Sequence, residues 1–218
     1  ASCLVGSEMC IRDRIVTELD YHLNDEIVKN LFVFGDVTST LAGAITAKNN
    51  NIKCFHVEAG LRSRNLDMPE ERNRMMVDAI CDKLYTPSSD AVQNLLSENV
   101  AIEKIKNVGN IMIDTLVKNF DHIVSKENFD PAEFSLERNY FVLTLHRPIN
   151  LTDNNLKIIF DAVSQFTKDY DILIPAHPRL KDFVVKNNID TKKFKVINPQ
   201  PYIKSVSYTH LTLPTTPY

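Results

Sequence analysis

A chain of 218 residues, 44% of them apolar and 24% charged, can bury a sizeable core as one large or two small domains. Its net charge of −3 gives no general pull toward nucleic acid or an anionic membrane, and no run of about 18 apolar residues is present to span a bilayer. The four cysteines, at 3, 10, 54 and 81, show no paired metal spacing, which makes a reducing cytoplasm the expected setting.

The first segment reads as foreign. MCIRD (9–13) can be encoded as atg-tgt-ata-aga-gac, and the reverse complement of that string translates as VSYTH, the sequence at 206–210. Two strands of one DNA segment near opposite ends of a protein resemble a translated sequencing-library adapter. Residues 1–14 and 206–218 are therefore expected to be non-native, leaving 15–205 as an internal fragment.

Within that fragment, strand and helix signals alternate. LFVFG (31–35) reads as a strand, and TLAGAITAKNN after it has helical spacing. KCFHV (53–57) is the next strand. PEERNRMMVDAICD (69–82) opens with proline and two glutamates, a helix start. KLYTP (83–87) is a strand, SSDAVQNLLSEN (88–99) a capped helix and IKNVG (105–109) a strand, followed by a long amphipathic stretch at 110–127. The rhythm then weakens, and 125–139 is polar and irregular. It resumes with YFVLTL (140–145), a helix at 153–168, DILIPA (171–176), a helix at 178–188 and FKVIN (194–198). Such alternation predicts βαβ units and parallel sheets in an α/β protein. We expect two Rossmann-like halves, 15–109 and 110–205, with a boundary near 109–114.

Open parallel sheets bind ligands at the carboxyl ends of their strands. Four polar residues fall at such ends: Asp36, Glu58, His146 and His177, two in each half, which suits a site in a cleft between domains. Structural readings stand beside the functional one. Asp36 also reads as a helix cap, Glu70 and Glu71 as first-turn complements of a helix dipole, Arg62 and Arg64 as solvated loop cations, and a lone strand-end histidine as a structural residue. Glu58 fits no such alternative, because a carboxylate directly after an apolar strand is costly to bury and caps no evident helix. The Walker and dinucleotide glycine fingerprints, the nucleophile-elbow motif and zinc-ligand spacing are all missing from the sequence. What remains is a group of carboxylates, two histidines and the pair His146–Arg147, a suitable clamp for phosphate oxygens.

The chain resembles the non-hydrolysing UDP-N-acetylglucosamine 2-epimerases. The resemblance rests on seven stretches in order: GDVTST (35–40), HVEAGLRS (56–63), MPEERNR (68–74), TPSSDAVQNLL (86–96), VGNIMIDTL (108–116), TLHRPINL (144–151) and PAHPRL (175–180). It implies two Rossmann-like domains of the glycosyltransferase-B type, each incomplete here. It also implies interconversion of UDP-GlcNAc and UDP-ManNAc in the cytoplasm for surface-polysaccharide synthesis, no NAD or metal cofactor, and a homodimeric parent. By the same resemblance Asp36, Glu58, Glu70 and His146 are catalytic, Arg147 faces the leaving diphosphate with His146, His177 and Arg74 serve nucleotide binding or the family's regulatory UDP-sugar site, and Arg62 balances charge or contacts a phosphate of the UDP-sugar. Pro148 and Ile149 stand where the commoner family form carries an Arg and a Glu, which leaves open another UDP-2-acetamido sugar as substrate. A hydrolysing 2-epimerase releasing ManNAc and a non-catalytic sugar-nucleotide-binding module are the other readings. The family's first basic loop and its later UDP-gripping loop fall outside the chain, so the isolated chain is expected to be inactive.

Overall fold

A computed structural model of the protein describes residues 8–24, 28–124, 131–136, 139–145, 148–186 and 194–209. The chain divides into two compact units, Ala1–Asp114 and Thr115–Tyr218.

The first unit is a four-stranded parallel sheet with its strands in sequence order, β1 (Asn30–Phe34), β2 (Lys53–Val57), β3 (Lys83–Thr86) and β4 (Ile105–Asn107). Helix α1 (Glu8–Asn24) precedes it and packs on α2 (Thr38–Asn49). Sequence reading predicted no such helix, since its first turns lie in the segment with adapter-like codons. Helices α3 (Pro69–Ile80) and α4 (Ser89–Ser97) complete the βα units, and the Ser88 hydroxyl caps α4 by accepting the Ala91 N–H. α2 touches α1, α3, β1 and β2, so it is buried nearly all round and has to be slim. Ala42, Gly43, Ala44 and Ala47 meet that need; a Cβ on Gly43 would come within 3.1 Å of Val33.

Strand alternation sorts the sheet's side chains. Val33, Cys54, His56, Leu84 and Thr86 are buried on the α2 side, with Leu41, Val77 and Leu95 in the same core. On the opposite face Phe32, Phe55 and Tyr85 form a cluster of stacked rings, with centroids 4.8 Å apart for Phe32–Phe55 and 6.4 Å from Tyr85 to each of them. At the N-terminal end of β2, Asp82 accepts hydrogen bonds from Lys48 Nζ and the Cys54 N–H, tying α2, β2 and the end of α3 together.

The amphipathic stretch at 110–127 carries, among the described residues, α5 (Ile111–Lys118) and α6 (Phe120–Ile123), which are separated at Asn119, whose side chain donates to the Thr115 carbonyl and competes with the helix backbone. The second unit has a three-stranded parallel sheet, β5 (Tyr140–Val142), β6 (Asp171–Pro175) and β7 (Lys195–Ile197), with α7 (Asp153–Ser164) and α8 (Pro178–Lys186). Leu156, Phe160, Ile172, Ile174, Leu180 and Phe194 form its main core. A smaller cluster joins Leu136 and Leu173 to Tyr208, the residue after α9 (Tyr202–Ser207). The carbonyl of that tyrosine accepts the Tyr140 hydroxyl. Among the described residues no helix is long and apolar enough to cross a membrane.

Candidate active site

The carboxyl ends of β1 and β2 lie side by side, and both chains turn there through the left-handed region: Gly35 has φ +70° and Glu58 φ +74°. Glycine takes this conformation without steric cost, whereas for a glutamate it costs about 1–3 kcal/mol and persists only when neighbours enforce it. The neighbours are identifiable. The Glu58 N–H donates to the Tyr85 carbonyl at 3.1 Å, and Arg74 Nη1 donates to the Glu58 carbonyl. Both peptide groups flanking the Glu58 Cα are thus held, and its carboxylate, half-exposed, is aimed past Gly35.

Arg74 joins the two acids. Its Nη2 donates to Asp36 Oδ2, while Nη1 sits 3.8 Å from Glu58 Oε2. Asn73, one residue earlier on α3, donates to the Asp36 carbonyl at 3.0 Å. Asp36 makes no side-chain cap of α2, whose N-cap position is Val37. The cap reading of Asp36 is therefore replaced by an ion pair with Arg74. The Arg74 guanidinium is buried, with one Nη donating to the Glu58 carbonyl and the other to Asp36.

Arg62 departs furthest from expectation. It is not a solvated loop cation: its side chain is only 4% exposed, with Nη1 2.8 Å from Asp78 Oδ2 and Nε and Nη2 donating to the two oxygens of Glu98 at 2.7 and 2.6 Å. Burial works against its charge, but the hydrogen bonds and charges of Glu98 and Asp78 outweigh burial and bind the proton more firmly.

Glu70 is exposed on the first turn of α3, beside Pro69. Its neighbour Glu71 is buried instead and accepts three hydrogen bonds from the loop after β2: Ser63 N–H at 2.8 Å, Ser63 hydroxyl at 3.0 Å and Arg64 N–H at 3.0 Å. Burial alone would push its carboxyl upward, yet these donors outweigh it and hold Glu71 below its ordinary value. A folded value beneath the unfolded one, about 4.3, means that this stabilisation is complete above the unfolded value and is lost as pH falls through the lowered folded one. Glu71→Gln is expected to cost about 1–3 kcal/mol at neutral pH and to flatten the acid limb of stability measured by urea unfolding; identical acid limbs in both proteins would contradict this.

In the second unit, His177 follows β6, is exposed, and its carbonyl accepts the Leu180 N–H at the start of α8. His146 and Arg147 lie outside the described residues. The structure thus brings Asp36, Glu58 and Arg74 together, leaves Glu70 exposed on the same helix, and assigns Arg62 elsewhere.

Sequence reading missed the residues beneath the acids. His56 is fully buried on β2; its Nδ1 lies 2.7 Å from Asp78 Oδ1 and its Nε2 2.8 Å from the Gly35 carbonyl oxygen. Asp78 Oδ2 also accepts the Gly60 N–H. The signal was the spacing of Glu71, Arg74 and Asp78, which share one face of α3. That face is buried, while Met75 and Met76 are exposed, the inverse of an ordinary amphipathic helix.

Residues 8–212 match the family profile of UDP-N-acetylglucosamine 2-epimerase. The chain is 35% identical over 204 residues to a UDP-N-acetylglucosamine 2-epimerase of Methanococcus maripaludis, an alignment covering 88% of this chain and 55% of that protein. It is 30% identical over 205 residues to the UDP-2,3-diacetamido-2,3-dideoxy-D-glucuronate 2-epimerase of Pseudomonas aeruginosa, covering 92% and 56%. The crystal structure of Methanocaldococcus jannaschii UDP-GlcNAc 2-epimerase in complex with UDP-GlcNAc and UDP superposes with a TM-score of 0.83 at 33% identity, covering 92% of this chain and 57% of that one. The chain therefore spans just over half the length of these relatives, and its parallel-sheet α/β units share their glycosyltransferase-B fold. Seven sequence stretches in order, the paired strand-end acids and a family match along nearly the whole chain agree: the chain belongs to the UDP-N-acetylglucosamine 2-epimerase family.

Proposed function

We propose that this chain is part of an enzyme that interconverts UDP-GlcNAc and UDP-ManNAc by eliminating UDP and adding it back with inversion at C2. The C2 hydrogen of a hexosamine has no neighbouring carbonyl, so it is not acidic by itself. Removal becomes feasible if the C1–O bond breaks as the C2–H bond does: a carboxylate takes the proton, the C–H electron pair forms the C1–C2 double bond of a glycal, and the C1–O pair leaves with UDP. Protonation of C2 on the opposite face and re-addition of UDP complete the inversion. This chemistry needs acid/base groups for both faces and cations for the departing diphosphate.

The observation that carries the reading is the pairing of Asp36 and Glu58 across Arg74 at adjoining strand ends. Asp36, Glu58 and Glu70 act as the acid/base carboxylates. His146 is catalytic and, with Arg147, faces the leaving diphosphate, while His177 contributes to nucleotide binding. Arg74 holds two of the acids. The complete enzyme works in the cytoplasm as a homodimer, as the family resemblance implies.

Incubating the complete enzyme with UDP-GlcNAc and resolving the products by NMR tests this reading. UDP-ManNAc is the expected product. Free ManNAc as the sole sugar product would replace the reading with the hydrolysing one. A second substrate is favoured by Pro148 and Ile149 and by the similarity to the Pseudomonas aeruginosa enzyme. Faster turnover of a UDP-2,3-diacetamido sugar than of UDP-GlcNAc would identify it.

A further inference from the structure

Beneath the two strand-end acids lies a buried polar cluster that the proposed chemistry does not use directly. Gly35 presents its carbonyl oxygen to His56 Nε2 at 2.8 Å, and a carbonyl can only accept, so Nε2 carries a proton. At 2.7 Å, Nδ1 faces Asp78 Oδ1. The other oxygen of that carboxylate accepts the Gly60 N–H at 3.1 Å and lies 2.8 Å from Arg62 Nη1, so both carboxylate oxygens face donors. An ionised carboxylate is acceptor-only, so Nδ1 carries a proton too.

We propose that His56 is a positioning residue of the site: an imidazolium donating from both ring nitrogens, oriented by Asp78, that pins the Gly35 carbonyl and so fixes the turn presenting Asp36 beside Glu58. The pin acts at the one peptide where β1 leaves the sheet. Gly35 N–H donates to the Val57 carbonyl, the Gly35 carbonyl is held by His56, and the Asp36 carbonyl is held by Asn73. Successive backbone groups are thereby tied to β2 and α3, the elements that carry Glu58 and Arg74. A shift of about 1 Å in a reacting group can cost on the order of 100-fold in rate, so a pin at this peptide bears on turnover.

Two measurements test this, and only the second rests on the epimerase reading. In this chain labelled with 15N, imidazole spectra at neutral pH are expected to show two protonated ring nitrogens for His56, assigned by comparison with His56→Gln. One protonated and one bare nitrogen would overturn the proposal. In the complete enzyme, His56→Gln can keep the bond to Gly35, whereas His56→Asn can reach only Asp78. His56→Asn is therefore expected to lower kcat about 10–100-fold with little change in KM, and His56→Gln to stay within a few-fold of the parent. Equal losses in both variants, or none in either, would overturn the positioning role. A parent enzyme without epimerase activity would instead count against the functional reading, and the nitrogen spectra would still decide the state of the ring.

Discussion

Glu58→Gln in the complete epimerase is expected to lower kcat about 10²–10⁴-fold, the range for loss of a positioned acid/base group. The change is close to isosteric. It removes the ability to exchange a proton while keeping the side-chain shape and an oxygen able to face Arg74. The positive φ and both backbone anchors belong to the main chain and survive, so the loop should keep its place. The carboxylate is partly exposed and 3.8 Å from its cation, so the lost ion pair costs less than about 1 kcal/mol. A large fall in kcat with near-parental stability and KM is the expected pattern. Parental turnover would remove Glu58 from catalysis and leave its strained backbone without a functional account.

The largest effect on stability is expected at Gly60. At φ +79° any other residue is strained, and a Cβ there would stand 2.5 Å from the Ala91 carbonyl oxygen and 3.0 Å from Leu95 Cδ1. The obstruction is the backbone of α4, which cannot rotate away. Left-handed strain and overpacking together cost about 2–5 kcal/mol for Gly60→Ala. Gly109 provides the control: its φ is +84°, yet a Cβ there meets nothing within 4 Å, so Gly109→Ala should cost only the backbone term, about 1–2 kcal/mol. Urea midpoints of the two variants compare them directly. Equal midpoints would show that α4 does not press on Gly60. The glycine also supplies an N–H to Asp78 and a carbonyl to Asn94, so the substitution disturbs the same network that anchors His56.

These residues also show how far a sequence can be read. β2 occupies the predicted 53–57, and α3 begins at the predicted Pro69, because an apolar run and a proline followed by glutamates are local signals. Asp36 and Glu58 were legible for a related reason: a carboxylate immediately after an apolar strand needs an explanation. Their partner was not legible, since Arg74 reaches Asp36 across 38 positions and Glu58 across 16. Arg62 was misread for the same cause, as Glu98 lies 36 residues away. Hydropathy periodicity misleads on α3, where the buried face carries Glu71, Arg74 and Asp78. These charges are tolerated because each meets fixed partners supplied by β2 and by loops elsewhere in the chain. In the second unit, the strand predicted at 140–145 is only Tyr140–Val142, paired with Asp171–Leu173 of β6, although Leu143 N–H continues to the Leu173 carbonyl.

The account turns on strand-end carboxylates moving a proton at C2 while UDP departs. Its most direct test is solvent exchange: the complete enzyme is incubated with UDP-GlcNAc in heavy water, and deuterium at C2 is followed by NMR in the parent and in Glu58→Gln. Deuterium entering C2 as UDP-ManNAc forms, with both processes suppressed in the variant, is the predicted result. Epimerisation in which C2 retains its original hydrogen, or exchange in Glu58→Gln at the parental rate, would contradict it.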